Sequence, residues 1–121
     1  MKLAFLCHPT KDMNQSLSYY KEVLGLEEAW REGDHTVALR FTENEEVQLM
    51  VEDDEGLVPS GGVFVIEDVN QFYEENQHKL SFIKEPCDIP PGRYAIFQDP
   101  DGNPFRIIDM TKNKNISGNL V

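Results

Sequence analysis

The chain has 121 residues, room for about one small domain, so a multidomain enzyme with separate cofactor and substrate domains is excluded. Hydrophobic residues make up 40% and charged residues 27%, which is enough apolar material for a core and too much for a disordered chain. Asp and Glu number 22 against 11 Lys and Arg; the net charge of −11 repels phosphate backbones and anionic headgroups, so neither nucleic acid nor a membrane is expected as a partner.

No stretch approaches the ~18 apolar residues of a membrane span, and Met1-Lys2 leads straight into a strand-like segment rather than a signal peptide, so a cytoplasmic protein is expected. Cys7 and Cys87 are too few for a disulfide framework and lie in no paired-cysteine motif; both read as free thiols.

Lys2 to His8 is nearly all apolar and reads as a strand buried on both faces, ended by Pro9. Asp12 with Gln15 has the spacing of a capping box and predicts a helix start. Met13, Leu17, Tyr20 and Leu24 recur at helical spacing, Tyr19 and Val23 widen the stripe, and Gly25 suits the left-handed closing position. Three strands follow, Leu26 to Arg31, Thr36 to Phe41 and Val47 to Val51, with turns at Gly33-Asp34 and Glu43-Asn44-Glu45. After the stretch Glu52 to Gly62 the order restarts with a strand at Val63 to Ile66 and a second capping box at Asp68 and Gln71. Val69, Phe72 and Tyr73 give the second helix its buried stripe, and strands are predicted at Leu80 to Ile83, Tyr94 to Gln98 and Phe105 to Ile108.

Asp12-Met13-Asn14-Gln15 matches Asp68-Val69-Asn70-Gln71 at an offset of 56 residues (68 − 12), and the order of elements repeats with it. The chain is therefore expected to be α+β, two βαβββ modules forming a curved mixed sheet cup with helices outside. Residues 1–57 make one module, 58–111 the other, and 112–121 a tail. A module of about 60 residues is marginal alone, so the two form a single domain over 1–121.

The segments Ser16-Leu17-Ser18-Tyr19-Tyr20-Lys21-Glu22-Val23-Leu24-Gly25-Leu26 and Asp99-Pro100-Asp101-Gly102-Asn103-Pro104-Phe105 resemble the vicinal oxygen chelate superfamily of glyoxalase I, bleomycin-resistance proteins and extradiol dioxygenases. In the second segment Pro fixes one dihedral and Gly-Asn tolerates positive φ, so it reads as a tight turn without chemistry of its own. The resemblance implies a divalent metal in the cup, held by His or Gln on the first strand, Glu on the fourth, His on the fifth and Glu on the eighth. Those positions fall here on Phe5, Gln48, Gly61 and Arg106, of which only Gln48 has a donor for a metal; Glu46 and Cys7 are the nearest residues a two-residue shift would bring to the same face. His8, His35 and His78 lie at no mutual ligand spacing and read as structural or surface residues. Neither metal nor other cofactor is expected.

The expected ligand-binding residues are Phe5, Cys7, Gln48, Met50, Gly61, Tyr94 and Arg106, with no catalytic residue assigned. Arg106 either lies along a partly wet sheet face or points into the cup, there to meet an anionic group or to pair with Glu46. Gln48 is either an ordinary strand residue or a hydrogen-bonder to the ligand, and Trp30 and Tyr94 are either sheet-face aromatics or platforms for a flat ligand. Cys7 lacks a neighbouring His or Lys in sequence and reads as a small buried hydrophobe. The acidic run Glu52-Asp53-Asp54-Glu55 is a solvated loop or an attractor of cations. These readings point to a metal-independent small-molecule binder, for sequestration or antibiotic resistance, and to a homodimer. The alternatives are a metal-dependent lyase, isomerase or dioxygenase of glyoxalase type, and a non-catalytic structural or regulatory binding partner.

Overall fold

The computed structural model describes residues 1–41, 44–53 and 58–112. In chain order the elements are β1 (Lys2–Thr10), α1 (Met13–Ser18), a π-helical turn (Tyr19–Val23), β2 (Glu27–Glu32), β3 (Thr36–Phe41) and β4 (Asn44–Asp53), then β5 (Gly61–Val65), α2 (Val69–Asn76), β6 (Ser81–Ile89), β7 (Gly92–Gln98) and β8 (Pro104–Ile108). Contacts divide the chain into two compact units, Ala4–Gly61 and the residues from Gly62 onward together with Met1–Leu3.

The units repeat one topology. The first has strand order β2-β3-β4-β1 with β1 parallel to β4, and the second has β6-β7-β8-β5 with β5 parallel to β8; the remaining pairs are antiparallel. Each is βαβββ, and the class is α+β with mixed pairing. Both helices start where the caps predict: the Asp12 and Asp68 carboxylates accept from the backbone N–H of Gln15 and Gln71, each at 3.0 Å. The second box does not close, because the Gln71 amide donates forward to Glu75 at 3.1 Å instead of back to the cap.

Under α1 the core gathers Leu17, Val37, Leu39, Leu49 and Val51, with Met13, Tyr20, Leu26 and Phe41 against them. This core draws on β3 and β4, not on β1, and so β1 is not buried on both faces as its apolar run suggests: only Cys7 is, and Leu6 remains 38% exposed. Nor does Pro9 end the strand. It pairs in register with Glu52, because proline's fixed φ suits extended backbone and only one donor is lost. The apolar stripe of the first helix also departs from expectation after Leu17. The π-helical turn closes a wider ring, Leu24 N–H to Tyr19 C=O at 3.1 Å, which rotates the later side chains: Tyr20 still faces the core, while Tyr19, Val23 and Leu24 are exposed. Gly25, at φ 76°, then turns the chain so that Leu26 replaces Leu24 in the core.

In the second unit α2 covers Val69, Ala95, Phe97 and Ile107, flanked by Phe64, Phe72, Phe82 and Phe105, and Phe97 stacks on Phe105 at 5.1 Å between centroids. β6 runs well past Ile83. As the terminal strand of its unit's order it accommodates Pro86 and two register shifts that an inner strand would not. Part of the expected turn at Glu43-Asn44-Glu45, Asp54 and Glu55 of the acidic run, and all of the tail beyond residue 112 lie outside the described residues.

Candidate functional site

Alternation along paired strands sorts the first unit's side chains onto two faces. Val37, Leu39, Leu49 and Val51 face α1; Ala38, Arg40, Gln48 and Met50 therefore face the other way. The parallel register sets Phe5 opposite Gln48 and Cys7 opposite Met50, so four of the expected binding residues share this face. Trp30 joins them. Its partner is Ala38, its indole Nε1–H donates to Gln48 Oε1 at 3.1 Å, and its ring meets Phe5 edge to face at 5.7 Å and 83°. Phe5, Gln48 and Met50 are half-buried and Trp30 is 38% exposed, so the cluster is held by its own contacts yet partly open to solvent.

Cys7, on the same face, is buried, and its thiol donates to Glu52 Oε2 at 3.6 Å. That neighbour is a carboxylate, not the imidazole or ammonium that activates a nucleophilic thiol. His8 bonds the Tyr20 hydroxyl at 3.0 Å and His35 pairs with Asp53 at 3.2 Å, which gives both histidines structural partners. Burial, with Tyr19 close by, holds the Tyr20 phenol above its ordinary range. Glu28 lies on the α1 face, where its carboxylate accepts from Lys21 and Arg31 at 2.7 Å each; the bonds from Arg31 and then from Lys21 pull its pKa down to about 2.

The equivalent face of the second unit is composed differently. Val63 pairs with Arg106, Arg106 with Ile96, and Ile108 with both Val65 and Tyr94. Arg106 is 2% exposed, so its guanidinium is part of a buried layer rather than a wet sheet face. Tyr94 is half-buried with the Lys84 ammonium 5.9 Å from its ring centre, and Gly61 opens β5 two residues before Val63.

The Asp99–Asn103 segment is the tight turn its sequence predicts. The Asp99 carboxylate accepts from the N–H groups of Asp101 and Asn103 and from the Asn103 amide, all at 2.9 Å, and Gly102 takes φ 87°. These bonds, the Asn103 amide first, hold the Asp99 carboxyl below its usual range. Sequence reading passes over Asp109. Fully buried, it receives Val69 N–H at 2.7 Å, Arg93 N–H at 2.9 Å and the Thr111 hydroxyl at 2.8 Å, joining the ends of β7 and β8 to the start of α2. No sequence signal marks it, because two of its donors, the Val69 and Arg93 N–H groups, come from segments distant in the chain.

A family model described as the Glyoxalase/Bleomycin resistance protein/Dioxygenase superfamily matches residues 2–107. The chain belongs to this superfamily. Solved structures agree on the fold. A Vibrio splendidus member of the superfamily is 22% identical, with 87% of this chain and 96% of that one covered and a TM-score of 0.63. A Legionella pneumophila structure named as an NAD-dependent benzaldehyde dehydrogenase is 18% identical over 88% and 97% of the two chains, TM-score 0.69. A Bacillus halodurans hypothetical protein is 11% identical over 89% and 93%, TM-score 0.65. At these identities the likeness concerns fold alone. Among curated proteins none matches the sequence.

The superfamily's metal does not fit these residues. Phe5 has no donor atom, the Gln48 oxygen already accepts the Trp30 N–H, and no group of three His, Cys, Asp or Glu suited to an ion occurs among the described residues.

Proposed function

We propose that this superfamily member binds a small organic molecule on the sheet face opposite α1, without a metal, as a sequestering or antibiotic-resistance-like protein. The observation that carries the reading is the Phe5, Trp30 and Gln48 cluster: two aromatic rings joined edge to face and an amide whose oxygen is taken by the indole. With that oxygen engaged, the Gln48 amide presents its N–H donors, which suits a flat ligand bearing a carbonyl, hydroxyl or carboxylate oxygen. Met50, in line with Cys7, supplies adaptable apolar contact. A homodimer accompanies this reading, because β2 and β6 end their strand orders and leave edges for a second chain; a monomer mass by light scattering at micromolar concentration overturns that part.

Calorimetry with 2-naphthoate, 2-naphthol and 2-naphthylmethylammonium tests the reading across ligand charge. At least one probe is expected to bind, to lose about tenfold or more in affinity in Trp30→Ala, and to be indifferent to EDTA. No binding by any probe, or binding that requires a stoichiometric divalent metal, overturns it.

A further inference from the structure

We propose that Glu28 is a positioning residue: by stapling a bulge at Ala29 it decides which face of the sheet Trp30 occupies. In a regular strand Glu28 and Trp30, two residues apart, would share a face. Glu28 pairs with Leu39 and meets Lys21 on the α1 side, so a regular continuation would set Trp30 opposite Val37, which is fully buried in the α1 core. The ladder instead passes from Glu28 opposite Leu39 to Trp30 opposite Ala38, leaving Ala29 as the extra residue. Trp30 thereby crosses to the face of Phe5 and Gln48, and Arg31, opposite Val37, returns to the α1 side.

The Glu28 carboxylate accepts from Arg31 Nε at 2.9 Å and from Arg31 Nη2 at 2.7 Å. Residues three apart in a regular strand point to opposite faces, so this two-bond contact exists only with the bulge in place and spans it. Lys21, at 2.7 Å, anchors the same carboxylate to the π-helical turn, and the Glu28 carbonyl accepts from Arg40 Nη1 at 3.1 Å. Side chain and backbone of Glu28 are thus both tied at the step where the register shifts. With its pKa drawn down to about 2, the carboxylate stays charged, and the staple closed, at any ordinary pH.

The consequence for ligand affinity rests on the binding proposed above; the placement of Trp30 does not. Trp30 is the sole tryptophan of the chain, so its indole N–H resonance and its fluorescence are unambiguous reporters in the full-length protein. Glu28→Ala is expected to shift that resonance, abolish the Trp30–Phe5 nuclear Overhauser contact, and weaken whichever naphthalene probe binds by about tenfold or more. Deleting Ala29 in the Glu28→Ala background is expected to restore the contact, because position 28 and Trp30 become neighbours in the chain and alternate to opposite faces without a bulge. A role of Glu28 in stability alone is not rescued by shortening the strand. Should Glu28→Ala fail to fold, Glu28→Gln with and without the deletion makes the same comparison. An unchanged Trp30 environment in a folded single variant overturns the proposal, as does a folded double variant without the Trp30–Phe5 contact. A Trp30 resonance that moves as expected while the unmodified protein binds none of the three probes supports the positioning role and overturns the binding.

Discussion

The two units place the same backbone at the service of different surfaces. In each, the first strand runs parallel to the last and a helix covers one face, yet the other face holds half-buried Phe5, Gln48 and Met50 in the first unit and Val63, Ile96, Arg106 and Ile108, none more than 7% exposed, in the second. A βαβββ module needs apolar side chains only beneath its helix; the chemistry of the opposite face is free to diverge once a duplicate exists. The first unit carries a ring-and-amide cluster there, and the second a packed layer with one buried cation.

The largest expected effect is on the second unit's own joint. Asp109→Asn leaves part of a fully buried acceptor set unmet and should lower stability by about 3 kcal/mol in urea unfolding. Gly92→Ala should match it, since a Cβ at that position would stand 2.1 Å from Asp109 Oδ1. If neither variant moves the midpoint, the Asp109 joint does not hold the second unit together.

Trp30→Ala should divide the units the other way, with little change in stability but about 1.5 kcal/mol of probe affinity lost by calorimetry, in line with a half-exposed aromatic contact. Equal losses of stability and affinity would place Trp30 in the core instead. Gln48→Leu comes next: it removes the acceptor of the indole N–H and the proposed ligand donors, for about 1 kcal/mol of affinity.

The smallest effect is the pH response of the Glu28 staple. Its folded pKa, about 2, lies below the ordinary carboxylate value, so its stabilisation is complete above that ordinary value and is lost as pH falls toward 2. At an exposed ion pair this amounts to a few tenths of a kcal/mol, read as the difference between the protein and Glu28→Gln in urea midpoints at pH 6 and pH 3. A gap that does not narrow on acidification counts against the staple.

The repeated module was legible in the sequence because its signals are local. The caps at Asp12 and Asp68, the closing Gly25 and the Asp99–Asn103 turn each depend on residues within a few positions, and each stands where the chain alone places it. Phe5, Cys7, Gln48 and Met50 were legible as one face for a related reason: strand alternation and a parallel pairing determine it once β1 and β4 are paired. Trp30 was not. Its alternation with Glu28 points to the wrong face, and the extra residue that corrects it is visible only in the pairing with β3.

What the sequence by itself determined, then, is the α+β class and the duplication, which follow from short-range periodicity and turn chemistry, together with the resemblance to the superfamily that two local motifs carry. Tertiary structure decided the exposure of Tyr19, Val23 and Leu24 through the wider π-helical ring, the burial of Arg106, the joint at Asp109 and the side on which Trp30 emerges. The ring is local, but the other three depend on contacts between residues far apart in the chain or on one residue more or less in a ladder. Periodicity carries no record of either, because a single inserted residue inverts every face that follows it.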